Sequence, residues 1–233
     1  MRAAAVLGVG CWSPQGAAAR PACEGVAPSL LRGTSLATAI AVDVLRQAAR
    51  AGGADLAATP TVFGSTLGEV QTAVALNVMI RAEGLPSPMR FKNSVHNAPG
   101  GVASIAHGNT GFTTSLSAGE DLVALCLLEA LAWLDANGGD VLVALAEEEV
   151  PAPLPLHGAY GPLGVALHLR AGEGALTLSG LRTDAAVPAL SHEGPPVRSA
   201  LPLLDALASR RAGTVSLSRD PSLPWCVDLV VAG

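Results

Sequence analysis

Thr114-Ser115-Leu116-Ser117-Ala118-Gly119-Glu120-Asp121-Leu122-Val123-Ala124-Leu125-Cys126-Leu127-Leu128 joins a short β-favouring run to a long apolar one across two small residues. The apolar run continues through Leu131, Trp133 and Leu134. This pattern predicts a strand from Gly111 to about Leu116 and a helix from Ala118 to Leu134. Its large side chains surround the helix on nearly all sides instead of forming one stripe, so every face needs cover. Each large aliphatic side chain left in water would forfeit roughly 1.5–3 kcal/mol. The helix is therefore central, and the chain needs a layer on each side of it. Ser117 and Glu120 have capping-box spacing, which predicts Ser117 as the helix cap, and Asp121 would complement the dipole in the first turn.

Outward from this segment the chain alternates strands and helices. Ala3 to Gly8 reads as a buried strand that breaks into a turn at Gly8-Val9-Gly10 and Ser13-Pro14-Gln15-Gly16. A helix follows over Ser35 to Ala51, stopped by Gly52-Gly53; Thr61 to Phe63 reads as a strand and Gly68 to Glu83 as a helix. Arg90 to Asn97 reads as a polar loop and Ala98 to His107 as a small-residue helix. Asp140 to Ala146, Gly164 to Leu169 and Ala175 to Leu178 read as strands. The tail carries a short helix, Ala200 to Ala208, and strand-like runs at Thr214 to Ser218 and Cys226 to Val231. Such alternation predicts an α/β fold with a mixed, mostly parallel sheet.

Composition narrows the function classes. The 233 residues are 50% hydrophobic but only 3% aromatic, and the net charge of −5 offers no footprint for a phosphate backbone, so nucleic acid is excluded as an expected partner. No apolar run is long enough to span a bilayer and the N-terminus has no signal-peptide pattern, so no membrane association and a cytoplasmic location are expected. Cys11, Cys23, Cys126 and Cys226 form no CxxC pair and read as free thiols. Gly8-Val9-Gly10 lacks the third glycine and the downstream acid of a dinucleotide site, and Glu147-Glu148-Glu149 reads as a solvated strand end, so neither a cofactor nor a metal is expected.

The order of motifs resembles that of the β-ketoacyl synthases. Gly8-Val9-Gly10 with Ser13-Pro14-Gln15-Gly16, Phe63-Gly64-Ser65, Phe91-Lys92-Asn93-Ser94-Val95-His96-Asn97-Ala98 and Ser117-Ala118-Gly119 each look like a counterpart there. The chain is most similar to the synthase-like N-terminal domain family associated with polyketide and aryl-polyene-type gene clusters. The resemblance implies a thiolase fold, with residues 1–170 as the N-terminal-like domain and 171–233 as a truncated remnant of the second half, packed as one unit with it. In that family a nucleophilic cysteine opens the buried central helix. The matching position is Ala118, which has no nucleophilic atom. A second half supplying two histidines and a lysine is also missing, and His157, His168 and His192 do not reproduce its motifs.

Three readings follow. The first is a non-catalytic, chain-length-factor-like subunit in fatty acid or polyketide biosynthesis. It would pair with a full-length ketoacyl synthase, and acyl carrier protein is a further possible partner. The second is a Ser-dependent hydrolase or acyltransferase built from Ser117 or Ser115 with His96 and Asp121. The third is a homodimeric acyl-binding or scaffold module. The resemblance also places Phe63, Phe91 and Asn97 at a substrate pocket and Phe112, Thr113, Thr114, Ser115 and Leu116 at a partner interface.

Overall fold

Strand β4 (Asp140–Glu147) is apolar at every inner position, and its period-two alternation divides those side chains between two cores. Val141, Val143 and Leu145 enter one core with helix α6 (Leu122–Asn137); Leu142, Ala144 and Ala146 enter the other with helix α2 (Leu36–Gly52). The computed structural model describes residues 3–14, 20–152, 154–156 and 159–233, and within them the strand belongs to an eight-stranded sheet. Gln15 and Gly16 of the expected turn, and His157, lie outside the described residues.

The other strands are β1 (Ala4–Trp12), β2 (Thr61–Gly64), β3 (Thr113–Leu116), β5 (Leu163–Ala171), β6 (Leu176–Thr183), β7 (Gly213–Ser216) and β8 (Trp225–Val231). Their order is β3-β2-β4-β5-β1-β6-β8-β7. Only β3, β2 and β4 run parallel, and every other neighbouring pair is antiparallel. The sheet is mixed, as expected, but its pairs are mostly antiparallel and not mostly parallel. Helices α2, α3 (Val70–Glu83) and α5 (Ala98–His107) lie in the connections that lead to the parallel strands. The described residues between β4 and β5 hold no helix, and β5 turns back beside β4.

β1 and β6 share only the pairs Ala4–Leu178 and Ala5–Thr177. Outward from this junction the strands run β1, β5, β4 in one arm and β6, β8, β7 in the other, each arm antiparallel throughout. Both arms feed the core that holds α6, together with a 3-10 turn at Pro196–Ala200 and helix α7 (Leu201–Ala208). The tail is thereby the second cover that the apolar helix requires. Leu122, Val123, Cys126, Leu127 and Leu131 are buried, while Leu125, Leu128 and Trp133 remain half-buried.

β1 does not break at its glycines as expected. It runs through them to Trp12, with an irregularity in register between Val6 and Gly8. Ala4 and Val6 face the core of α6, and after the bulge Trp12 faces α2. Gly8 and Gly10 lie under α2, where a Cβ would come within 2.2 Å of the carbonyl oxygens of Ala48 and Val44 respectively. Close helix–strand approach is therefore the purpose of this Gly-Val-Gly. The expected polar loop at Arg90 to Asn97 is also partly helical, because Pro88 opens the short helix α4 (Pro88–Asn93) with its fixed φ.

Candidate functional site

The C-terminal ends of the parallel strands β3, β2 and β4 converge, the place where open α/β sheets usually build sites. Ser65 N donates to Leu116 O at 3.2 Å, and Ser117 Oγ donates to Thr66 O at 2.9 Å, so the loop after β3 is tied to the loop after β2. Ala118 sits in this loop, half-buried, ahead of α6.

The helix begins later than the spacing predicts, with Asp121 at its cap position and no side-chain cap bond. Ser117 is spent on Thr66, and Glu120 does not reach back to it. Glu120 instead faces Arg219, Oε2 to Nε 3.1 Å, and Arg219 also donates from its Nη1 to Gly194 O at 2.9 Å. The Arg219 side chain is 3% exposed, so its charge is held by this pairing in place of water. Ser218 Oγ donates to Asp121 Oδ1 at 2.8 Å. The β7–β8 loop therefore clasps the start of the central helix.

The structure does not join the Ser/His/Asp candidates into a hydrogen-bonded set. His96 Nε2 lies 2.7 Å from Ser65 O, Asp121 binds Ser218, Ser117 binds Thr66, and Ser115 lies under Gly100. No two of the four residues bond each other. Cys126 offers no substitute nucleophile: it is buried in the second turn of α6 against Gly64, and burial pushes its thiol up to about 12. His168 Nε2 binds Asp140 Oδ2 at 3.0 Å at the start of β4, the opposite end from Ala118, while His192 is exposed beside Glu120. Among the proposed pocket residues Phe63 is fully buried, but Phe91 is 57% exposed and Asn97 is exposed. None of the three lines any of three surface cavities of about 830, 260 and 240 Å³. The proposed interface strand β3 is a sheet edge, paired only with β2. Phe112 beside it stacks on Trp133 with ring centroids 4.2 Å apart, yet remains 37% exposed.

Sequence reasoning missed the carboxylates behind this site. Glu147 and Glu148 are buried, which corrects the reading of a solvated strand end. Glu147 accepts from Thr66 N at 2.5 Å and Ser65 Oγ at 3.2 Å; Glu148 accepts from Gln71 N at 3.0 Å and Ala37 N at 3.2 Å. Burial pushes each carboxyl up to about 7. Glu69, also buried, accepts from Thr38 Oγ1, Thr72 Oγ1 and Ser35 N. The available signal was that β4 is apolar on both faces up to its last residue, so its end lies inside the protein.

The family model for the β-ketoacyl synthase N-terminal domain matches residues 12–225. The chain belongs to this family. Its fold is thiolase-like, as expected, and solved structures of ketosynthases share it. One is the ketosynthase ApeO in complex with its chain length factor ApeC from Xenorhabdus doucetiae: TM-score 0.75, 22% identity, covering 98% of this chain and 100% of that one. A type II polyketide acyl-carrier protein in complex with its hexaketide-bound ketosynthase, AntDE:AntF, gives 0.65 at 14% identity, covering 79% and 71%. A β-ketoacyl synthase from Burkholderia phymatum STM815 gives 0.62 at 13%, covering 90% and 71%. At these identities the likeness establishes the fold alone. None of the curated proteins matches the chain. No described helix is long and apolar enough to cross a membrane.

Proposed function

We propose that this chain is a subunit that carries no acyl group and pairs with an active ketosynthase, in the manner of a chain length factor. What supports the reading is the combination at one end of the sheet: alanine where motif order matches the family's nucleophile, beside a free edge strand and an incompletely covered central helix. An exposed edge next to exposed aromatic surface is an aggregation hazard unless a partner covers it. Phe112, Trp133, Leu128 and Leu116 supply that partner surface, and β3 supplies backbone groups for continuing the sheet. Complexes of ketosynthases with a chain length factor and with a carrier protein among the structural neighbours support the same assembly. In it, a carrier protein delivers the chains that the active partner condenses.

The test is co-expression with a full-length ketosynthase from the same organism, followed by light scattering and intact-mass analysis after incubation with acyl-carrier thioesters. A one-to-one complex is expected, with acyl adduct on the synthase alone. Phe112→Asp should remove the complex while leaving the melting temperature of the separate chain within a few degrees. A homodimer of this chain that excludes the synthase, or a stoichiometric acyl adduct on this chain, would overturn the reading.

A further inference from the structure

Two contiguous cavities open where residues 20–36, which include the one-turn helix α1 (Pro28–Leu31), cross the starts of α2 and α3. The larger, about 830 Å³, has an apolar floor that includes Val26, Leu31, Leu36 and Ala39, and carries Arg20 and Arg32 at its exposed rim. The smaller, about 260 Å³, shares Thr34, Ser35 and Gln71 with it and adds Arg90. The larger volume falls within the roughly 300–1,000 Å³ of pockets that hold small ligands.

Charge is distributed unevenly here. In a chain of net charge −5, three arginines and no carboxylate line the two cavities. Arg46, Arg170, Arg182, Arg211 and Arg219 each pair with a carboxylate. The guanidiniums of Arg20, Arg32 and Arg90, like those of Arg50, Arg81, Arg198 and Arg210 elsewhere on the surface, have no hydrogen-bond or ion-pair partner among the described residues, but only these three gather at one pair of cavities. The backbone amides at the nearby helix starts are not free to hold an anion, since Ser35 N donates to Glu69 and Ala37 N and Gln71 N donate to Glu148. An anion bound here would be held by the guanidiniums, whose planar forks suit carboxylate or phosphate.

We propose that this groove binds an amphiphile with an anionic head: an apolar chain against Val26, Leu31, Leu36 and Ala39, and a carboxylate or phosphate beside Arg32 and its neighbouring arginines. Residues 115–121 do not line it, so the site is separate from the one around Ala118.

Isothermal titration of the full chain with decanoate, decyl phosphate, decanol and inorganic phosphate tests the proposal, the first two distinguishing the two kinds of head. Saturable one-to-one binding is expected for at least one anionic amphiphile, with decanol at least tenfold weaker and inorganic phosphate weaker still. Arg20→Ala combined with Arg32→Ala should weaken the anionic ligand about tenfold and leave decanol unchanged. Ala22→Trp, at the exposed rim, should block both chains, with circular dichroism melting confirming that the variants fold. Absence of saturable binding below millimolar concentration overturns the proposal. So does binding unaltered in both variants, which would move the chain to the exposed apolar surface of Val78, Leu85, Met89 and Phe91.

Discussion

Glu147→Gln should change how the stability of this protein depends on pH. Burial raises the Glu147 carboxyl from 4.5 to about 7 against the opposing hydrogen bonds from Thr66 and Ser65. The folded state thus favours the neutral acid, and the contribution of this group to stability is complete below about pH 4.5 and lost as pH rises through about 7. At about 1.4 kcal/mol for each tenfold difference in proton affinity, the loss amounts to about 3 kcal/mol. Glutamine cannot ionise, and its carbonyl can still accept from Thr66 N. Urea unfolding at a series of pH values between 4.5 and 8 is the assay. The wild type should lose about 3 kcal/mol more than the variant over this range, so that Glu147→Gln is relatively stabilised at pH 8. Comparing the two proteins isolates the group from Asp140 and Asp228, whose depressed values act at lower pH and in the opposite sense. Parallel pH profiles, or a variant less stable at pH 8 than at pH 5 relative to wild type, would refute the argument from burial.

Gly8→Ala should destabilise by roughly 1–3 kcal/mol or more in urea unfolding, because its Cβ would meet Ala48 O at 2.2 Å and Gly52 N at 2.6 Å, both backbone. Gly119→Ala, with nothing within 4 Å of the added carbon, is the control and should stay within about 0.5 kcal/mol. In native protein at pH 7.5, iodoacetamide should modify exposed Cys11 well before Cys126, and peptide mass mapping that finds Cys126 labelled first would contradict its burial.

Much of the fold was legible because local periodicity carries it. The helix over Ala98 to His107 falls where its spacing puts it, and the helix before Gly53 ends at a left-handed glycine as the sequence indicates. Strand direction was not legible, because an apolar run such as Val141 to Ala146 reads the same in either orientation. Gly8 and Gly10 misled for a related reason: glycine marks a turn locally, but here it serves a helix whose contact with β1 is long-range. At the candidate site, motif order put Ala118 at the entry to the central helix, and the structure has it in the loop just ahead of that helix. The partners of Ser117 and Glu120 were not legible, since Thr66 and Arg219 are about fifty and one hundred residues away. Ser117-Ala118-Gly119-Glu120 satisfies the spacing of a local cap, yet both polar side chains bind across the fold instead.

The mirrored order of strands about the β1–β6 junction has a consequence for where chemistry can be built on this scaffold. The first arm is extended beyond β4 by β2 and β3, and these three parallel strands bring their loops together at one end. The second arm stops at β7. It alternates in direction at every step, so its connections are shared between its two ends and no comparable convergence arises. Among the described residues the loops of the first arm form this cluster, and the opposite arm supplies Ser218 and Arg219 to close over it. Loop grafting intended to install a new reaction on this fold should therefore begin at the ends of β2, β3 and β4, with the β7–β8 loop treated as the removable cover.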